Sequence, residues 1–477
     1  APGFIDLLGQ SEIAVLIDNR VESKIRQGVT TEITGEGNSA APVNDVILKE
    51  VQPLLDRFHL KVDWKDMRGY FQRFEKTKST INIGTYVGAA TVRAMVLGMK
   101  NVEPTEADLV KMEAIVEDAM KQGALGISSA LIYPPGSYAK TNELIRLAKV
   151  AARHGGIYAS HIRDEGDHEI AALDEAITIG REANIPVEIW HLKASGKKNW
   201  GRLKDAIAHL EEARKNGVDI SANMYPYDAA SNNLGANLPD WAHDGGVDKM
   251  IERFHDQAMR EKMKGELFRH ADASTILVVS IINPALKPYV GKRLDVIAKE
   301  MKKTPEDALI DLVEADRDLV GVVRFTMDEK DVELGLRTPW IALGIDNAGQ
   351  ALDGPFAGEQ AHPRGFGAAA RLIGHYARDL HLFSIEDAVR KMTSLPARRV
   401  RLWDRGLLRP GLIADIVVFD PEKIRDLATY ENPLQYAEGV EDVIVAGQLV
   451  LDAGKLTAAR PGRALRRTGG AAASTGS

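Results

Sequence analysis

Over its first 225 residues the chain alternates short β-rich runs, each ending in polar residues or glycine, with longer stretches in which apolar and charged residues recur at helical spacing. Parallel strands satisfy such a rhythm, because a parallel neighbour is reached only through a crossover and a helix is the usual crossover. Strand-like runs fall near 3–9, 30–35, 81–87, 125–132, 156–162, 187–193 and 219–225, with an eighth near 341–346. Eight parallel strands close a barrel, so the expected fold class is α/β, a (β/α)8 TIM-like barrel over residues 1–400.

About 115 residues separate the seventh run from the eighth, too many for a simple connection. A helical insertion over about 228–338 is therefore expected near the active face, with helix-forming segments from Val247 to Phe268 and from Pro305 to Glu314. Two β-like runs within it, Thr275 to Ile281 and Leu319 to Thr326, would extend or cover the barrel. Beyond the barrel, Leu412 to Asp420 and Val440 to Leu451, with Gly447 in a hairpin turn, predict a small β-sandwich domain over 401–459. Two or three strands do not make a stable sandwich alone, so partner strands are expected from sequence preceding Ala1. Ala1-Pro2-Gly3 runs directly into the strand-like Phe4-Ile5-Asp6-Leu7-Leu8 without an initiator Met, basic segment or signal sequence. The tail, 460–477, is basic and then rich in Gly, Ala and Ser, and is expected to be disordered.

Composition removes several function classes. A net charge of −7 from 61 basic and 68 acidic residues, with no long basic stripe before the last twenty positions, argues against nucleic acid as a partner. No run of about 18 apolar residues is present to span a bilayer. The absence of cysteine excludes disulfides, thiolate zinc sites and a cysteine nucleophile, so a metal must sit on His, Asp, Glu or a modified Lys. Compartment stays open between cytoplasmic and exported, and a homo-oligomer is compatible with the sequence.

Active sites of parallel barrels form where the C-terminal strand ends converge. The fifth run ends Tyr158-Ala159-Ser160-His161-Ile162-Arg163-Asp164-Glu165, the sixth carries Glu188-Ile189-Trp190-His191-Leu192-Lys193, and the eighth ends Gly344-Ile345-Asp346-Asn347. Two imidazoles and a carboxylate from three strands suit Zn2+ or a similar divalent ion. The acidic cluster Asp164-Glu165 and Asp167-His168 reads instead as the start of the next helix, supporting its N-terminal dipole.

These stretches, with Pro2-Gly3-Phe4-Ile5-Asp6, Gln27-Gly28-Val29-Thr30-Thr31-Glu32, Tyr225-Pro226-Tyr227, His362-Pro363-Arg364 and Gly411-Leu412-Ile413-Ala414-Asp415, resemble the D-aminoacylase (N-acyl-D-amino-acid deacylase) family of the amidohydrolase superfamily. The resemblance implies that His161 and His191 bind a tightly held zinc. It also implies that Asp346, beside the metal, is the general base and returns the proton to the leaving amine. Two departures qualify it. Where the family carries His-x-His on the first strand this chain has Leu8-Gly9-Gln10, which leaves one metal expected rather than two. Where the family often presents a cysteine ligand this chain has Thr34-Gly35-Glu36-Gly37-Asn38, and Glu36 is the natural replacement.

By the same resemblance, Lys193, Tyr227 and Arg364 are candidates to fix a substrate carboxylate next to the scissile bond, with Tyr133 and Arg163 near the same rim. The implied reaction is zinc-dependent hydrolysis of the amide of an N-acyl, by family expectation D-configured, amino acid. A dipeptidase, lactonase or cyclic-amide hydrolase would use the same site, and a non-catalytic ligand-binding relative is the reading of another class.

Overall fold

The structure, a computed structural model, describes residues 1–268, 272–358 and 362–467. Strands form where the sequence places buried β-branched runs: Val29-Thr30-Thr31-Glu32-Ile33-Thr34, for example, is buried at every position. The parallel strands are β1 (Phe4–Asp6), β2 (Val29–Thr34), β3 (Asn82–Thr85), β4 (Val87–Gly88), β5 (Gly126–Ala130), β6 (Ile157–His161), β7 (Val187–Ile189) and β8 (Ile220–Met224). The third expected run is thus split at Tyr86: β3 pairs with β2, and β4 pairs with β5.

From β8 the chain enters the insertion, which carries β9 (Ala230–Asn233), β10 (Ile276–Ser280) and β11 (Gly321–Arg324), and returns as β12 (Ile341–Leu343). One parallel sheet has the order β12-β8-β7-β6-β5-β4 and the other contains β1-β2-β3. At the seam the Leu7 N–H donates to the Leu343 carbonyl at 3.4 Å, the Asp346 N–H to the Leu8 carbonyl at 2.7 Å, and Gly9 bridges Asn347 in parallel.

Helices follow the strands and turn one apolar face inward. Thr141–Arg153 buries Leu144, Leu147, Ala148 and Ala151, spaced three and four apart. Truncating a fully buried leucine such as Leu147 to alanine costs about 2–5 kcal/mol.

Beneath the seam lies a fully buried ionic cluster. Lys24 sits 2.8 Å from Asp6 and 2.7 Å from Glu32, all three side chains without exposure. The other oxygen of Asp6 accepts the N–H groups of Leu8 and Ile345. A side chain on β1 therefore ties together the segments that lead to Gln10 and Asp346.

Within the insertion, β10-β11-β9 form an antiparallel sheet. It shares with its helices a second hydrophobic core that includes Leu234, Ile276, Ile297, Leu309 and Val322. The helix expected from Val247 to Phe268 is two, Val247–Phe254 and Gln257–Lys264, because the Asp256 carboxylate caps the second by accepting the Met259 N–H.

The small β region is one antiparallel sheet, β13 (Ile416–Phe419), β14 (Val440–Val445), β15 (Gln448–Asp452) and β16 (Lys455–Leu456). Its central hairpin turns through Ala446 and Gly447, both left-handed at φ 48° and 79°. Among the described residues no second sheet of a sandwich is seen; Pro2 instead bridges Ile416 at the sheet edge. The expectation of disorder from Arg460 onward is corrected. β17 (Ala464–Leu465) adds to β3 in parallel, and Arg467 donates to the His154 carbonyl at 2.7 Å. A β-pairing edge and a carbonyl acceptor outweigh the low hydrophobicity there, while 468–477 lie outside the described residues. No helix among the described residues is long and apolar enough to cross a membrane.

Candidate active site and metal centre

β2 ends at Thr34, and the turn through Gly35 and Gly37, both at positive φ, swings Glu36 over the strand ends. A Cβ on Gly37 would meet Ala130 at 2.5 Å, so the turn can lie this close to β5 only with glycine there. His161 closes β6 and His191 follows β7. Glu36 Oε1 lies 2.8 Å from His161 Nδ1 and 3.1 Å from His191 Nε2. Ligand atoms of these three residues all fall within 4.8 Å of one another, and they are the single such His and carboxylate group among the described residues. His161 Nε2 is buried without a hydrogen-bond partner. Two imidazoles and one carboxylate at this spacing fit a divalent ion such as zinc.

His191 has φ 37° and Asp346 φ 55°, left-handed conformations at two strand ends. Such backbone persists where surrounding bonds hold it. The His191 N–H donates to Asn223 Oδ1 at 3.0 Å, and the Asn223 amide donates to Glu188. Asp346 is held by its own N–H at the seam and by Arg364, whose Nη2 is 2.9 Å from Oδ2. Arg364 in turn is placed by His362: its N–H donates to His362 Nδ1 at 3.0 Å, while His362 Nε2 donates to the Ala229 carbonyl. Burial holds His362 well below the usual imidazole range, which keeps Nδ1 free to accept.

The electrostatics divide the site. Burial opposes the charged form of Glu36, but the hydrogen bonds from His161 and His191 outweigh it and hold its carboxyl far below the usual range. Burial and Lys193 oppose protonation of His191, yet Glu165 and Glu36 lift it to about 9. Burial pushes the Asp346 carboxyl up, Arg364 pulling it back and Glu36 adding to the rise. An upward-shifted carboxyl beside a group of ligand-type side chains is suited to proton transfer.

These residues open on a cavity of about 520 Å3 that also includes Gln10, Tyr133, Glu165, Lys193, Tyr225 and Arg324. The Tyr133 ring stands edge-on to His161 at 5.3 Å, and burial together with nearby carboxylates raises its pKa, so the hydroxyl stays a donor. The Lys193 ammonium lies 2.5 Å from Glu165 and 2.8 Å from His191 Nδ1. Of the residues anticipated from sequence, Glu36, His161, His191, Asp346, Lys193, Arg364 and Tyr133 meet here. Asp346 stands beside the triad rather than within its ligand spacing.

Two do not meet the others. Tyr227 is turned away, its hydroxyl 3.4 Å from Asp426 and its ring edge-on to His362 at 5.4 Å, and Tyr225 takes the pocket position. Arg163 is consumed by structure: it grips Glu175 with two nitrogens and donates to the carbonyls of Ser137 and Ala139. The acidic cluster does not open the next helix. Glu165 belongs to the pocket, against Lys193 and His191, and the helix begins only at Glu169. No periodic signal marks Glu165, because it sits in a loop. Tyr225 carried a signal, lying directly after the β8 strand end. Gln10 acts as a donor, its amide nitrogen 2.5 Å from Glu36 and 3.1 Å from Asp346.

A parallel α/β fold with two histidines and a carboxylate at its strand ends, and a second carboxylate braced by arginine beside them, defines a metal-dependent hydrolase of the amidohydrolase type. Residues 352–451 match the model of the Amidohydrolase family. The chain is 36% identical to D-aminoacylase of Alcaligenes xylosoxydans xylosoxydans over 98% of its own length and 87% of that protein's. A crystal structure of D-aminoacylase superposes with a TM-score of 0.82 at 34% identity, covering 98% of this chain and 88% of the other. N-acyl-D-glutamate deacylase of Bordetella bronchiseptica, complexed with zinc and a phosphonate mimic of the tetrahedral intermediate, gives 0.81 at 30% identity, with coverage of 98% and 88%. The chain belongs to the D-aminoacylase, or N-acyl-D-amino-acid deacylase, family of metal-dependent amidohydrolases.

Proposed function

We propose that this chain hydrolyses the amide bond of N-acyl amino acids, of D configuration, with one zinc ion held by Glu36, His161 and His191. The observation that carries the reading is the meeting of that triad with Asp346 and Arg364 in one pocket. When bound, zinc would lower the pKa of a coordinated water toward neutrality and polarise the scissile carbonyl. Asp346 accepts the proton of the attacking water and returns it to the leaving amine nitrogen, a task suited to its raised pKa. Tyr133 donates its hydroxyl proton in a hydrogen bond to the carbonyl oxygen as negative charge grows there.

Arg364 spends one nitrogen on Asp346, while its Nε and Nη1 are buried without partners; these, with Lys193 and Tyr225, hold the substrate carboxylate. A single ion is favoured by the first strand, because Leu8 offers no ligand and the Gln10 amide already links Glu36 to Asp346. The reading also takes the two parallel sheets as one closed (β/α)8 barrel over 1–400, with the insertion at about 228–338 and the β13–β16 sheet as its satellite units.

The test is zinc stoichiometry on purified protein together with hydrolysis of N-acetyl-D- and N-acetyl-L-amino acids, for the wild type and Asp346→Asn. About one zinc per chain in both proteins, D-selective turnover, and a loss of at least roughly 10²-fold in kcat for the variant are expected. Full activity in Asp346→Asn would remove it as the base, and two tightly held ions would refute the single-ion site.

A further inference from the structure

Three cationic side chains face the pocket, and two have counter-ions. Lys193 lies 2.5 Å from Glu165, and Arg364 lies 2.9 Å from Asp346. Arg324 has none: among the described residues no carboxylate or carbonyl accepts from its guanidinium, and its Nε is shielded from solvent with no acceptor. Of the other three carboxylates on the wall, Glu36 is engaged by His161 and His191, and Asp240 and Asp318 do not bond to Arg324; burial pushes these two up, Asp318 to about 7.

Arg324 is also placed with some rigidity. It ends β11, paired with Ala230 of β9 and Ile276 of β10, and Thr326 two residues on lines the same cavity. Tyr133, Glu165 and Tyr225, which line the same cavity, are close enough to act on its charge. Burial holds its pKa below that of a free guanidinium. A partly desolvated cation without a counter-ion destabilises the protein unless a ligand supplies the anion.

We propose that Arg324 binds a second carboxylate of the substrate, making this a pocket for N-acyl amino acids with an anionic, aspartate- or glutamate-type side chain. The inference rests on the proposed amidohydrolase function. Arg364, Lys193 and Tyr225 hold the carboxylate next to the scissile amide, and Arg324 reads the side chain with its planar fork.

The test compares kcat/KM of the zinc-loaded full chain on N-acetyl-D-glutamate with N-acetyl-D-glutamine, and on the aspartate and asparagine pair, with L forms in parallel. The wild type is expected to favour each acid over its neutral isostere by about tenfold or more. Arg324→Met should lower kcat/KM on the acids by roughly 10²-fold, leave the amides within about threefold, and be partly reversed in Arg324→Lys. A wild type that prefers the amides, or a variant that loses acids and amides equally, overturns the inference while leaving the amidohydrolase reading intact. If no N-acyl amino acid is turned over, that reading fails. Calorimetric binding of N-acetyl-D-glutamate to the wild type and Arg324→Met then decides: Arg324-dependent binding upholds the carboxylate site, and equal or absent binding overturns it.

Discussion

Lys24→Met tests whether the buried cluster under the seam holds the catalytic edge in place. The substitution keeps the volume but deletes a cation lying 2.8 Å from Asp6 and 2.7 Å from Glu32. Burial raises the Glu32 carboxyl above its usual range even with Lys24 present, and Lys24 is the main force pulling it back. Without Lys24, the least costly escape is for Glu32 to take up a proton, at about 1.4 kcal/mol for each pH unit above its ordinary 4.5. Near pH 7.5 that is at most about 4 kcal/mol, since the wild type already bears part of it, against the 3–5 kcal/mol typical of breaking a buried ion pair. Near pH 5.5 it shrinks to about 1.4 kcal/mol.

The sign follows from linkage. A carboxyl whose folded pKa is raised leaves the variant most stable below the unfolded value, and stability is lost as pH rises through 4.5 and beyond. At about 2.1 cal/mol/K per residue, a chain of this length shifts its Tm by roughly 1 °C per kcal/mol. Thermal melts should therefore show a loss of up to about 4 °C near pH 7.5 and no more than about 1–2 °C near pH 5.5. Because Asp6 also fixes the N–H groups of Leu8 and Ile345, kcat should fall while zinc content stays unchanged. A Tm change below about 1 °C at the higher pH, or the same loss at both, would refute the argument.

Other outcomes are checked more briefly. Glu36→Gln should reduce zinc affinity by at least roughly 10-fold with an unchanged far-UV CD spectrum, and retained stoichiometric zinc after dialysis would exclude Glu36 as a ligand. Arg163→Met should lower stability by about 1–3 kcal/mol through its lost bonds to Glu175 and two carbonyls, while KM stays put; a large KM increase with unchanged Tm would return Arg163 to substrate binding. Burial raises Glu12 to about 7, so the wild type should lose stability as pH climbs from 4.5 toward 7. Glu12→Gln should stabilise by up to about 3 kcal/mol near pH 8 and change little near pH 4.5, a contrast read from denaturant melts at the two values.

The parts of this molecule legible in the sequence are those with a period or a chemical signature. Buried strand runs such as Val29 to Thr34 and the imidazoles at strand ends announce themselves, and His161 and His191 meet as their positions imply. What escaped was decided by tertiary competition for the same polar group. Arg163 has the right chemistry for a carboxylate, but Glu175 reaches it first from within the chain. Tyr227 lost its place to Tyr225 because Asp426, distant in sequence, takes its hydroxyl. Glu165 is a loop residue whose role depends on Lys193 coming within 2.5 Å, a distance no local pattern encodes. The ordered β17 was hidden by a basic, glycine-rich context, since its partner edge lies on β3, some 380 residues earlier.

The seam between β1 and β12 also bears on biosynthesis. Glu36, His161 and His191 all precede residue 200, so the ligand triad is complete on a nascent chain that still lacks Asp346 and Arg364. Until residue 341 emerges, β1 and β8 each present an unpaired edge, the kind of template that recruits other chains. At about 5–20 residues per second, the interval between His191 and Asp346 lasts roughly ten to thirty seconds. For that period the proposed ligand triad stands without its proposed base, and from β8 onward the solubility of the growing chain depends on whatever shields those two edges.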